Sequence, residues 1–169
     1  VTINSDGKLA LNGLSESLNV IAGTGVIDFG TGGYLQVGGN SGSSLFGGSL
    51  TGTGTLEKAG SGSLTFASSI TFAGDLTLSG GTLALNGTTL TVGVLHITGN
   101  TVIDFGNSSA SLLNASSFVI DSGATLSVTG WASTVDYFYA QSWAGAVHDT
   151  SGLAPLNQVA FSGYTSSSN

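Results

Sequence analysis

Apolar residues in this chain come in pairs separated by one residue, polar or small in every pair but Phe118/Ile120, and no other feature constrains the fold as much. The pairs run Leu9/Leu11, Leu18/Val20, Ile27/Phe29, Leu35/Val37, Leu64/Phe66, Ile70/Phe72 and Leu76/Leu78. They continue through Leu83/Leu85, Leu90/Val92, Leu95/Ile97, Ile103/Phe105, Phe118/Ile120 and Leu126/Val128. A period of two is the period of a β-strand, so each pair sends two side chains to one face and the intervening residue to the other. Helical spacing is nearly absent, and Gly, Ser, Thr or Asn separates one pair from the next. The chain is expected to be all-β.

The spacing between pairs narrows the architecture. From Leu64 onward the pairs begin at positions 64, 70, 76, 83, 90 and 95, one strand every five to seven residues. Antiparallel sandwiches place their turns about 8–12 residues apart. Three such short strands make a rung of roughly 18–22 residues, which predicts a parallel β-helix, or β-solenoid. Apolar pairs would then stack as columns inside a narrow tube, with Gly, Asn and Ser at the corners. An antiparallel sandwich or meander is the alternative.

Ten residues are spelled out twice. LALNG stands at 9–13 and 83–87, and VIDFG at 26–30 and 102–106. Alternation puts Ile27 and Phe29 inward with Asp28 outward, and likewise Ile103, Phe105 and Asp104. Asp28 and Asp104 are read as strand-edge carboxylates that bond a turn, in preference to catalytic or calcium-binding groups. The solenoid body is expected over 1–130, carrying an internal duplication at about 9–37 and 83–114. Beyond it, residues 131–169 hold half of all the aromatics and the single proline, Pro155. That segment reads as a C-terminal cap or assembly region, since terminal repeats are atypical. Trp131, Tyr137, Tyr139, Trp143 and Tyr164 are its candidate contacts to a glycan or a partner.

Composition bears on partners. Only 7% of residues are charged, against an average near 25%, and two lysines face nine acids for a net charge of −7. A chain so poor in cations repels phosphate backbones, so no nucleic-acid partner is expected. No apolar run reaches the roughly 18 residues that a membrane span needs. Val1 is preceded by no leader, so the sequence reads as a mature or excised segment of a secreted bacterial protein. Cysteine and methionine are absent.

Motifs for chemistry are scarce. His96 lies between Leu95 and Ile97 as an outward strand residue, and His148 stands next to Asp149 without a nucleophile motif. No G-x-S-x-G, H-E-x-x-H or EF-hand loop occurs. GGNSGSS at 38–44 lacks the aspartate of a calcium-binding β-roll, and two lysines are unpromising for lyase chemistry on uronates. No cofactor, no metal site and no enzymatic activity are expected. Threonine pairs such as TLT at 89–91 are similar to the arrays of ice-binding solenoids, although Thr is also simply a good strand residue. N-x-S/T triplets at Asn86, Asn107 and Asn114 arise easily in so Ser/Thr-rich a chain.

GTGTLEKAGSGSLTF at 52–66 resembles the autotransporter-associated β-strand repeat, G-x-G-x-L-x-K-x-G-x-G-x-L-x-L. Gly52, Gly54, Leu56, Lys58, Gly60, Gly62 and Leu64 fall in register, with Phe66 at the last apolar place. LSVTGW through LNQVAFSGY, 126–164, is similar to the end of exported proteins that carry a C-terminal sorting tail. The resemblance implies a piece of a long β-solenoid in a bacterial passenger or surface protein, and brings no catalytic residues. The expected role is an extracellular structural protein whose partners are copies of itself, joined head to tail in a fibre or matrix, or an adhesin stalk. Val1 runs at once into strand-like text, leaving little room for an N-terminal cap. A carbohydrate-binding module or adhesin using the C-terminal aromatics on cell-surface glycans is the alternative.

Overall fold

The structure, a computed structural model, describes residues 1–106, 110–145 and 158–162. The chain is a parallel β-solenoid of about seven turns. Rung one holds β1 (Thr2–Ile3), β2 (Lys8–Ala10) and β3 (Ser15–Leu18), and rung two β4 (Ala22–Gly23), β5 (Val26–Asp28) and β6 (Tyr34–Val37). Rung three holds β7 (Ser44–Phe46), β8 (Ser49–Thr51) and β9 (Thr55–Lys58). Rung four holds β10 (Ser63–Phe66), β11 (Ile70–Thr71) and β12 (Asp75–Leu78). Thereafter two strands make a rung: β13 (Gly81–Ala84) with β14 (Thr89–Ile97), then β15 (Thr101–Asp104) with β16 (Leu112–Ile120), then β17 (Leu126–Thr129) with β18 (Tyr137–Gly145). β19 (Val159–Phe161) lies on β17.

These strands form three faces. The first is β1-β4-β7-β10-β13-β15-β17-β19, and the third is β3-β6-β9-β12-β14-β16-β18. The second begins as β2-β5-β8 and passes through β11 onto the first half of β14. Rungs are more variable than the expected 18–22 residues: Lys8 pairs with Val26, 18 residues on, but Leu112 pairs with Tyr137, 25 on. The difference accumulates at corners, where extra residues loop out without disturbing the ladder.

From rung five, one strand carries two apolar pairs. Leu90/Val92 and Leu95/Ile97 sit on the single strand β14, and both pairs face inward. Gly93 and Val94 both face outward, so the strand changes phase there and turns the corner without breaking its pairing to β16. β16 bends the same way at Ser116–Ser117, between Leu113/Ala115 and Phe118/Ile120.

Register makes the core a set of columns. On the third face Leu35, Leu56, Leu76, Leu95 and Phe118 stack in line, each at most 1% exposed. On the first face Leu64, Leu83, Ile103 and Val128 do the same. Each such side chain contributes about 1.5–3 kcal/mol by leaving water. One corner is packed so closely that only glycine fits: a Cβ at Gly54 would collide with the Gly33 carbonyl, and one at Gly74 with the Gly54 carbonyl.

The duplicated text builds one corner twice. In both copies LALNG lies one rung beneath VIDFG, with Leu9 paired to Ile27 and Leu83 paired to Ile103. Asn12 and Asn86 adopt φ of 53° and 48°, and the glycines after them 79° and 82°. Asp28 accepts a hydrogen bond from Gly30 N–H at 3.0 Å, and Asp104 from Gly106 N–H at 3.1 Å. The first copy lies on the second face and the second copy on the first face. Strand pair and corner are thus a portable unit of scaffold, and its aspartates bond turns.

Candidate functional site

Pairing of β18 with β16 sorts the C-terminal aromatics. Tyr137 lies over Leu112, Phe138 over Leu113, Tyr139 over Asn114 and Trp143 over Phe118. Alternation therefore turns Phe138 and Trp143 toward the core, and Tyr137 and Tyr139 away from it. Trp143 packs with its ring centroid 4.8 Å from Phe118 and 5.3 Å from Phe138, and its indole N–H donates to the Ala140 carbonyl at 3.1 Å. It remains 39% exposed. Trp131 fills a corner, edge-on to Phe105 at 4.8 Å and Phe161 at 5.3 Å. Tyr137 and Tyr139 stand parallel on the outer surface, centroids 5.6 Å apart and planes 9° apart, each about half exposed. Tyr164 lies outside the described residues.

The candidates therefore do not converge. The two tryptophans close the core, and the two tyrosines form a separate outward pair. The turn before β18 is held by Asp136, buried to 1% exposure, which accepts from Ser111 N–H at 2.8 Å and Ala132 N–H at 2.6 Å.

No family model matches the chain, and neither a curated protein nor a solved structure matches it. Function must be read from the geometry.

Ionisable groups are mostly engaged in holding rungs together. Lys8 Nζ lies 2.6 Å from Asp28, and this hydrogen bond, with that from Gly30 N–H, holds the Asp28 carboxyl below its ordinary range against a small opposing effect of burial. His96 faces outward on β14 and meets Asp121 of the next rung at 2.8 Å, with no hydroxyl bonded to it among the described residues. His148, Asp149 and Asn107 lie outside the described residues. Asn86 occupies a corner, and Asn114 lies on the outer side of β16.

Glu57 organises the outer side of the third face. It accepts from Tyr34 O–H, from Ser79 Oγ–H at 2.5 Å and from Gln36 Nε2–H at 3.4 Å. Burial would raise its pKa, but the bonds from Ser79, Tyr34 and Gln36 outweigh that and leave it lowered. Tyr34 is pushed up to about 12, first by burial and then by the Glu57 carboxylate it donates to.

Lys58 was not expected inside. It is 1% exposed, and its ammonium donates to the carbonyls of Ala59 at 2.6 Å, Gly60 at 3.0 Å and Gly80 at 3.3 Å. Three N–H bonds meet three acceptors, so the corner is satisfied without a counter-ion. Desolvation lowers its pKa. The signal was available in the text: Leu35/Val37, Leu56/Lys58 and Leu76/Leu78 are equivalent pairs, and alternation alone puts Lys58 in the inward slot.

No group of three or more metal-ligating side chains gathers among the described residues. A shallow depression of about 350 Å³ on the first face is lined by Ser61, Thr82, Asn100, Thr101, Thr125 and Ser127, with glycine and valine beside them. It offers hydroxyl and amide groups without a charged side chain, and no base or acid points into it. Among the described residues no helix is long and apolar enough to cross a membrane.

Proposed function

We propose that the chain is an extracellular structural protein of a bacterial surface, assembling head to tail with copies of itself into a fibre or matrix, or forming the stalk of an adhesin. The observation that carries this reading is the uniformly parallel coil, in which each described rung is the template for the next. Among the described residues, β1, β2 and β3 are paired on one side only, and so are β18 and β19. A strand edge of this kind is a template on which a further parallel strand can add. Every strand runs the same way round the coil, so the upper edge of one copy is complementary to the lower edge of another. Such a heterologous contact makes filaments when its rotation does not close.

The resemblance of residues 52–66 to repeats of bacterial surface proteins supports the same reading. The reading assigns no catalytic role, cofactor or nucleic-acid partner. Negative-stain electron microscopy with sedimentation velocity over a wide concentration range tests it. Unbranched filaments that lengthen with concentration are expected; short monodisperse particles at every concentration would overturn the proposal.

A further inference from the structure

The second face carries two outward columns that hold Ser or Thr at both positions over three successive rungs. Ser49 and Thr51 flank buried Leu50, Ser69 and Thr71 flank buried Ile70, and Thr89 and Thr91 flank buried Leu90. β8 packs beside β11, Thr71 pairs with Thr91, and Ser69 Oγ accepts from Thr89 N–H at 3.0 Å. The columns continue through Leu112 and Asn114 to Tyr137 and Tyr139. One column thus reads Ser49, Ser69, Thr89, Leu112, Tyr137, and the other Thr51, Thr71, Thr91, Asn114, Tyr139.

Three properties of this strip define what it can hold. Rungs repeat about every 4.8 Å and outward neighbours on a strand stand about 6.7 Å apart, so the hydroxyls form a two-wide lattice. Nothing in these five rungs of the two columns is charged, whereas the third face carries Glu57, Asp75 and His96 in its outward positions. The strip ends in two parallel, exposed phenol rings. Hydroxyl and carboxamide groups exchange hydrogen bonds with an alcohol-rich ligand in either direction. Aromatic faces take up the C–H side of a sugar ring, burying apolar area while the ring's hydroxyls stay in reach of partners.

We propose that this strip binds an extended, uncharged polysaccharide lying along the solenoid axis, with Tyr137 and Tyr139 stacking on a sugar ring and the Ser/Thr columns bonding the units below. The rung repeat is comparable with the length of one sugar unit in an extended chain, so successive units meet successive rungs. Trp131 and Trp143 stand outside the two columns and take no part in the strip. Assembly is not required: a single copy carries the whole strip, so this proposal and the fibre proposal fail separately.

Affinity electrophoresis in gels containing soluble mixed-linkage β-glucan or hydroxyethylcellulose, with pull-down on chitin, tests the strip. Wild-type protein is expected to be retained by at least one of these, and equally at low and high salt. Thr71→Asp, which places a charge mid-strip, and the double variant Tyr137→Ala/Tyr139→Ala should each weaken retention by about tenfold or more, the loss of one good aromatic stack. Thr65→Asp on the first face should bind as wild type does. Thermal melts followed by circular dichroism establish that each variant is folded, and Thr71→Asp carries the test if the tyrosine variant is not. Absence of wild-type retention on all three neutral polymers, or undiminished retention of folded Thr71→Asp, would overturn the proposal.

Discussion

Lys58 shows what a single position contributes in a solenoid. A buried ammonium is costly to desolvate, yet here it is the donor that three corner carbonyls depend on. Lys58→Met keeps the volume and the apolar contacts but leaves those acceptors unpaired, so unfolding free energy in urea is expected to drop by about 2–4 kcal/mol. An unchanged midpoint would mean that water satisfies the carbonyls equally well. Tyr34 gives a pH signature on the outer surface. Its folded pKa of about 12 lies above the ordinary 10.0, so the folded state holds this proton more tightly than the unfolded chain does. Stability from this group is complete below pH 10 and is lost as pH rises through 10 to 12. Melting temperatures should fall less steeply over that window in Tyr34→Phe than in wild type. Equal slopes would remove the Tyr34–Glu57 bond from the account.

Strands and corners were legible in the sequence to different degrees. Inward pairs such as Ile27/Phe29 and Leu76/Leu78 could be read directly, because alternation survives wherever one face is buried. The bend in β14 could not: Gly93–Val94 looks like a linker in text, and only the unbroken register with β16 shows that the strand continues through it. Corner lengths were hidden too, since a corner can take extra residues without changing any pair. The division within the aromatic region is legible too: alternation in YFYAQSW already separates Phe138 from Tyr137 and Tyr139. Lys58 was hidden, a charge that reads as surface in an inward slot. Glu16 raises the same issue at an edge. It occupies the column of Leu35, Leu56, Leu76, Leu95, Phe118 and Trp143, but on rung one, where it is exposed. A further rung stacked on β3 would bury its carboxylate, at a cost of several kcal/mol. Edge charges of this kind restrain edge-to-edge association. Glu16→Leu should therefore lower the concentration at which assembly begins by about tenfold or more, read by light scattering. No change would exclude stacking in this register.

For the whole molecule, the account joins one core to two kinds of surface. Columns of apolar side chains hold the coil together, and on the proposed reading copies meet at its terminal rungs. Its outward Ser/Thr strip on the second face is the side proposed to lie along a neutral polymer. The most direct measurement of the central claim is X-ray diffraction from aligned, concentrated wild-type protein. Copies stacked end to end continue the rung repeat along the fibre, which predicts a reflection near 4.8 Å on the meridian. Failure to form an oriented fibre, or a 4.8 Å reflection on the equator from copies packed side on, would contradict it.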